Sequence, residues 1–195
     1  YYAFVKDYIG RGPYPINRDV STPNEGTIMY SDDEVKTTAN INVGTVKVYG
    51  FNTQSKWTIS PQVSYQGSLT YTRGIGNNIS GNLPSINPLF VVQKVLWQLP
   101  KGEISLHWHH AQRKTPESYS PWGEDGLQET PLLANDTFAG TPAWHRWDVQ
   151  FALPLNKALN LSGGIFNLWD THYRESASGI SAPGRSAKLV LRYEL

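Results

Sequence analysis

Apolar and polar residues alternate along several stretches of the chain, which is the pattern of β-strands with two different faces. The clearest stretch is QVSYQGSLTYT at 62–72, where Val63, Tyr65, Leu69 and Tyr71 share one face and polar residues share the other. Helical periodicity is almost absent. The pattern predicts eight strands, at about 1–10, 41–59, 62–76, 88–99, 102–114, 143–154, 158–170 and 185–195.

Short and long connections between the predicted strands alternate strictly. The short ones are Ser60-Pro61, 100–102 and 155–157, and the long ones are about 11–40, 77–87, 115–142 and 171–184. Outer-membrane β-barrels have short periplasmic turns and long extracellular loops, whereas nothing forces the long loops of a soluble β-sandwich to one end. The alternation favours an all-β, antiparallel transmembrane β-barrel over a sandwich that binds carbohydrate.

Aromatic residues lie near both ends of the predicted strands. Strands favour aromatic residues in general, but clustering at both ends is typical of the two girdles at the membrane interfaces. Near the short turns lie Trp57, Trp97, Phe151 and Tyr193, and near the long loops lie Tyr49, Tyr71, Trp144, Trp147 and Trp169. The girdle prediction rests on Tyr49, Trp57, Tyr71, Trp97, Trp147, Phe151 and Tyr193.

The closing stretch SAKLVLRYEL, residues 186–195, also alternates. One set of side chains is expected to face lipid: Ala187, Leu189, Leu191, Tyr193 and Leu195. The other set is expected to face the lumen: Ser186, Lys188, Val190, Arg192 and Glu194.

Composition agrees with this interpretation and excludes other classes. The chain has 195 residues, 7 Trp, 11 Tyr and 6 Phe, no cysteine and a net charge of +1. The charge balance does not favour nucleic acid as a partner, and a thiolate metal site is excluded. The sequence has no run of about 18 apolar residues, so it predicts no membrane-spanning helix. The mean hydropathy of −0.43 is compatible with a barrel, because lipid-facing residues alternate with polar ones.

Several segments resemble TonB-dependent outer-membrane receptors. LNLSGGIFNLWDTHYRESASGISAPGRSAKLVLRYEL at 159–195 resembles their C-terminal end, through Asn167-Leu168-Trp169-Asp170, Tyr173 and Pro183-Gly184-Arg185. YAFVKDYI at 2–9 and VGTVKVYGFNTQSKW at 43–57 resemble two earlier strands, and LPSINPLF at 83–90 resembles the proline-bearing start of a later one. The four motifs follow the order of the family.

The resemblance implies the C-terminal section, residues 1–195, of a plugged barrel of the kind that has 22 strands. It also implies location in the outer membrane of a Gram-negative bacterium and transport of a ferric siderophore or other metal chelate, with haem next. Implied partners are the TonB–ExbB–ExbD complex through a plug, lipid and lipopolysaccharide, and the barrel-assembly machinery. Neither enzymatic chemistry nor a resident metal or cofactor is implied. The alternative is a self-contained eight-stranded barrel with a structural or enzymatic role.

Charges are divided unequally between loops and walls. The long loops hold 11 of the 16 acidic residues and, with Lys114 at a loop's edge included, 5 of the 17 basic residues, so the predicted rim is acidic and the wall is basic. By alternation, six basic residues face the lumen: Lys56, Lys94, Arg113, Arg146, Lys188 and Arg192. A basic lumen attracts an anionic cargo, and it can equally pair with an acidic plug surface.

Two further stretches carry candidate ligand contacts. In SLHWHHAQR at 105–113, His107 and His109 share the lumen face with Arg113, at a spacing that allows metal or haem contact as well as simple hydrogen bonding. In ESYSPWGEDG at 117–126, Tyr119 and Trp122 suit either grasping a flat ligand or packing the loop onto the barrel. The candidate cargo-binding residues are His107, His109, Arg113, Tyr119, Trp122, Arg146 and Lys94. No catalytic residue is predicted, because no Ser lies in a nucleophile-elbow context.

Overall fold

The computed structural model describes residues 1–13, 27–42, 44–76, 81–121 and 125–194. These residues form twelve strands and two single-turn 3₁₀ helices, Pro116–Ser118 and Leu127–Glu129. The strands are β1 (Tyr2–Val5), β2 (Ile9–Pro13), β3 (Thr27–Tyr30), β4 (Asp33–Lys36), β5 (Thr38–Asn42), β6 (Val46–Thr58), β7 (Val63–Gly76), β8 (Phe90–Leu99), β9 (Gly102–Ala111), β10 (Trp144–Pro154), β11 (Leu159–Phe166) and β12 (Ser186–Tyr193).

Eight strands form one antiparallel sheet in the order β1-β6-β7-β8-β9-β10-β11-β12. The all-β, antiparallel prediction is therefore confirmed. Among the described strands, β1 and β12 are the edges of an open sheet, so the eight strands do not close on themselves. Within the described residues, the other two sheets are the pairs β2–β5 and β3–β4, so no second large sheet packs on the first, as a β-sandwich would require.

Two predicted strands are broken by residues with left-handed backbone conformations. The first predicted strand, 1–10, is β1 and β2, separated around Asp7, whose φ is 54°. The predicted strand 41–59 is the end of β5 followed by β6, with Gly44 between them at a φ of 85°. A positive φ interrupts the extended backbone, and alternation of side chains does not reveal it.

The predicted loop 11–40 was wrong in part, because β3 and β4 lie within it, β2 ends in it and β5 begins in it. Strands β3 and β4 join through Ser31 and Asp32, which have φ values of 50° and 71°. Two successive positive φ values are the geometry of a type I′ hairpin turn, and Asp tolerates this conformation. Residues 14–26, which include Arg18, lie outside the described part of the chain.

Three short turns lie at one end of the sheet, as predicted. Between β6 and β7, the N–H groups of Ile59 and Ser60 donate to the carbonyl of Val63. Between β8 and β9, Gly102 has a φ of 112°. Between β10 and β11, the N–H of Leu155 donates to the carbonyl of Leu159. The longer connections all leave from the opposite end, which we call the long-loop end.

The two faces of the sheet differ in chemistry. We call the face that carries Lys56, Lys94 and His107 the inner face, and the opposite one the outer face. Strand β12 illustrates the difference, since Leu189, Leu191 and Tyr193 on the outer face are 70%, 62% and 66% exposed. Such a row of exposed apolar side chains is expected where lipid covers them and is unusual against water. Leu195 lies outside the described residues.

Buried side chains gather at the long-loop end. One cluster contains Val46 and Leu83, and the other contains Ala111, Trp144 and Tyr173. Trp144 lies near the long-loop end, as predicted, but on the inner face opposite Ala111 and only 6% exposed, apart from the outer-face aromatics. No helix in the described part of the chain is long and apolar enough to cross a bilayer.

Candidate binding surface on the inner wall

The strand register brings the charged residues of the inner face into one row. Lys56 of β6 lies opposite Gln66 of β7, which lies opposite Lys94 of β8. Lys94 in turn lies opposite His107 of β9, and His107 lies opposite Asp148 of β10. Because side chains at paired positions point to the same face, residues from five strands meet along this row. Alternation placed Lys56, Lys94 and His107 on this face.

The two histidines of β9 lie parallel on the inner face. The rings of His107 and His109 have centroids 6.4 Å apart and an interplanar angle of 6°. Nε2 of His107 lies 2.9 Å from the hydroxyl of Ser105, and Nε2 of His109 lies 3.5 Å from Oδ2 of Asp148. Within the described residues, no group of three or more His, Cys, Asp or Glu side chains is arranged to hold a metal ion. The nearest polar partners of the two rings are thus Ser105 and Asp148, and contact of the rings with a metal or haem stays a prediction.

Asp148 is the centre of a polar network that reaches the last long loop. Its side chain is nearly inaccessible, and Oδ2 lies 2.9 Å from the guanidinium of Arg146. The same guanidinium donates to the hydroxyl of Tyr173 at 2.8 Å, while Oδ1 of Asp148 accepts from the N–H of Asn167. Arg146 therefore has an acidic partner and a hydroxyl partner within the protein, and its contact with cargo stays a prediction.

Asn167 continues the network into the chain after β11. Its φ is 53°, and its side-chain amide donates to the carbonyls of Thr171 and Pro183. Its Oδ1 accepts from the N–H of Thr171. The buried Asn167 therefore follows directly after β11 and holds the start and the end of the β11–β12 connection together, through Thr171 and Pro183.

The loop residues proposed from sequence have structural partners. Arg113 lies beyond the end of β9, where its guanidinium donates to the carbonyl of Ala139 at 3.0 Å, rather than on the inner wall as alternation predicted. Tyr119 is only 4% exposed, and its hydroxyl lies 2.6 Å from that of Thr141. Of the two interpretations of Tyr119, the structure supports packing of the loop. Trp122 lies outside the described residues.

Four basic residues of the inner face form no ion pair with a described residue: Lys56, Lys94, Lys188 and Arg192. Lys94 lies between two grooves, one shared with Lys56 and His107 and the other shared with Ser105 and Lys188. Glu103 also borders the second groove. The middle of the inner face is therefore a polar surface with unpaired positive charge.

The predicted girdle residues lie on the outer face, where several contact other aromatic rings. Tyr49 and Trp57 are 36% and 64% exposed, and Trp97 is 59% exposed. Tyr71 packs against Phe51 at 5.7 Å, and Trp147 packs against Trp108 at 6.0 Å. Phe151 and Tyr193 lie nearer the short turns, on β10 and β12. Their role at a membrane interface stays a prediction.

The profile of the family described as TonB dependent receptor-like, beta-barrel matches residues 1–168. The chain belongs to this family. No curated protein sequence is significantly similar to it. Several solved structures resemble this receptor chain in fold.

The copper transporter OprC superposes with a TM-score of 0.72 at 16% identity, covering 98% of this chain and 27% of that one. The ferric enterobactin receptor PfeA of Pseudomonas aeruginosa, in complex with enterobactin, gives 0.68 at 16% identity, covering 98% and 28%. The FrpB iron transporter of Neisseria meningitidis gives 0.64 at 14% identity, also covering 98% and 28%. This receptor chain spans little more than a quarter of the length of these structures. The open sheet therefore superposes on about a quarter of each of these chains.

Sequence reasoning about this receptor chain missed Asp148 and Asn167. A signal for Asp148 exists, because Arg146 and Asp148 are two residues apart on a predicted strand and so share a face. For Asn167 the sequence offers only the Asn-Leu-Trp-Asp motif, which does not reveal that the amide is buried. The ion pair of Lys114 with Asp125 joins two places in a long loop that no local pattern connects.

Proposed function

We propose that the receptor containing this chain imports a scarce nutrient across the outer membrane of a Gram-negative bacterium, driven by TonB. The cargo is a ferric siderophore or other metal chelate as first choice, with haem next. Family membership supports TonB-dependent transport, and the names of OprC, FrpB and PfeA connect this fold with copper, iron and ferric enterobactin. The proposal includes contact with TonB–ExbB–ExbD through a plug, and with lipid, lipopolysaccharide and the barrel-assembly machinery.

The observation that carries the choice of cargo is the unpaired positive charge of the inner face. Lys94 and Lys188 border the same groove and form no ion pair with a described residue. Positive charge on a concave, partly screened wall raises the local concentration of anions. Many metal chelates are anions, because carboxylate or catecholate groups hold the metal.

Uptake by cells tests the proposal. A strain that lacks the receptor is complemented with the full-length protein, and accumulation of ⁵⁵Fe supplied as an anionic chelate is measured with and without functional TonB. We expect accumulation that requires both proteins. Accumulation that is unaffected by loss of TonB would contradict the proposed mechanism, and a failure with all chelates and with haem would contradict the proposed cargo.

The lysines are tested by the double variant Lys94→Met and Lys188→Met, which keeps most of the side-chain volume. We expect chelate binding at low salt to weaken about fivefold, because two attractive charges are lost. We also expect the affinity of the variant to depend less on salt, since fewer charges remain to be screened. Lys157→Met, in the exposed turn after β10, is the matched control. If the lysines instead pair with an acidic plug, the double variant will lower the unfolding temperature of the receptor and leave binding unchanged.

A further inference from the structure

A separate cavity of about 400 Å³ lies at the long-loop end of the inner face. Its floor comes from four strands, through Thr72 of β7, Phe90 of β8, Ala111 of β9 and Trp144 of β10. Two loops complete it, with residues 85–88 on one side and residues 175–176 on the other. Cavities that bind small molecules commonly have volumes of roughly 300–1,000 Å³, so this one suits an aromatic group and its substituents.

The lining combines aromatic rings with polar atoms that have no partner. Phe90 and Trp144 meet edge to face with ring centroids 6.0 Å apart. Nε1 of Trp144 and Oγ of Ser176 are buried, and neither has a hydrogen-bond partner among the described residues. Because these two atoms are themselves almost inaccessible, the surface offered to a ligand consists of the rings, small polar side chains such as Thr72, and Glu175.

The charge of the cavity is opposite to that of the rest of the inner face. Among the described residues that line it, Glu175 is the only one with a charged side chain. The lysines Lys56, Lys94 and Lys188 border the two grooves nearer the short turns and do not border this cavity. An anionic group placed here would meet the Glu175 carboxylate without a compensating cation.

We propose that this cavity binds an aromatic group that carries a positive charge or no charge. The inference rests on the proposed function only where it assigns this aromatic group to the transported cargo. The cargo would then carry a neutral or cationic aromatic group in addition to any anionic part that holds the metal. The rings of Phe90 and Trp144 contact the aromatic group, and Glu175 selects its charge.

Three probes that share a phenol ring test the inference on the purified full-length receptor. They are tyramine, tyrosol and 4-hydroxyphenylacetate, which end in an amine, an alcohol and a carboxylate, respectively. Saturation-transfer NMR titrations give a dissociation constant for each without iron, TonB or cells. We expect tyramine to bind about fivefold more tightly than 4-hydroxyphenylacetate, the scale expected of one partly exposed charge contact, with tyrosol between them.

Two variants with matched controls locate the binding. Glu175→Gln should reduce the affinity for tyramine to that for tyrosol, whereas Glu117→Gln, on the exposed 3₁₀ turn, should change nothing. Trp144→Phe should weaken the binding of all three probes about threefold, and Trp108→Phe on the outer face should leave their binding unchanged.

The inference is overturned if 4-hydroxyphenylacetate binds as tightly as tyramine, or if Glu175→Gln leaves the ratio of their dissociation constants unchanged. It is also overturned if no probe binds because another part of the receptor fills the cavity. Because uptake is not measured, these outcomes are independent of the test of transport.

Discussion

At the scale of single residues, Asp148 connects side chains of β9 and β10 with the backbone that follows β11. It accepts a hydrogen bond from Arg146, another from the N–H of Asn167, and lies 3.5 Å from His109. Its carboxylate is nearly inaccessible, whereas about a quarter of the Arg146 side chain is exposed. A buried charge of this kind is stable only while its partners remain in place.

Replacing Asp148 is expected to loosen the chain that follows β11. In Asp148→Ala, Arg146 loses its counter-ion and the N–H of Asn167 loses its acceptor, so local opening should become easier by about 3 kcal/mol. Hydrogen exchange of residues 167–185 in the full-length receptor measures this opening. Glu103→Ala is the control, because Glu103 is on the same face and forms no ion pair with a described residue. Equal protection in both variants would contradict the network.

Individual residues also show how far the sequence could predict the site. Alternation was sufficient for Lys94 and His107, because a strand of known direction fixes which face each side chain occupies. It failed for Arg113, since β9 ends at Ala111 and the face of a residue beyond the strand is set by loop contacts. Tyr119 could not be assigned, because its partner Thr141 is 22 residues away in the same loop.

At the scale of elements, a buried ion pair within the loop between β9 and β10 also connects this loop to the one before β8. Nζ of Lys114 lies 2.9 Å from Oδ2 of Asp125, and both side chains are almost fully buried. Oδ1 of Asp125 accepts from the N–H of Ser85, in the connection between β7 and β8. Lys114 also lies over the ring of Tyr119, 4.4 Å from its centroid. The two loops therefore fold against each other rather than separately.

Asp125→Asn should loosen both loops although the change lies in one. The variant leaves the Lys114 ammonium buried without a counter-charge, at a cost of about 3 kcal/mol. We expect faster hydrogen exchange at residues 81–89 as well as at 112–121. Asp136→Asn is the matched control, since Asp136 is exposed in the same loop. Faster exchange confined to the loop that carries the substitution would show that the two loops are independent.

Gly102 determines whether the turn between β8 and β9 can form. Its φ is 112°, and a Cβ placed on it would lie 2.3 Å from the carbonyl oxygen of Ala152. Gly102→Ala should therefore separate the start of β9 from β10 and reduce the folded fraction of the receptor. The fraction that migrates as folded barrel in unheated gel samples measures the effect. Lys101→Ala, the preceding residue, should leave that fraction unchanged, and an equal yield for both would contradict the expected clash.

At the scale of the whole molecule, the sheet separates two environments. Its outer face exposes apolar residues on several strands, among them Trp57, Trp97 and Leu191, which are 64%, 59% and 62% exposed. Its inner face carries the polar row from Lys56 to Asp148. A wall of this kind fits between lipid and a polar interior, as in the barrels that it resembles.

Successive side chains of one strand should therefore face lipid and the polar interior in turn. The most direct test is a nitroxide scan of residues 103–110, one cysteine at a time, in the full-length receptor reconstituted into lipid. Collisions with oxygen, which concentrates in lipid, are compared with collisions with a water-soluble nickel chelate. Labels at Ile104, Leu106 and Trp108 should favour oxygen strongly, and labels at Ser105, His107 and His109 should not. A scan without this two-residue period would contradict a wall that faces lipid on one side.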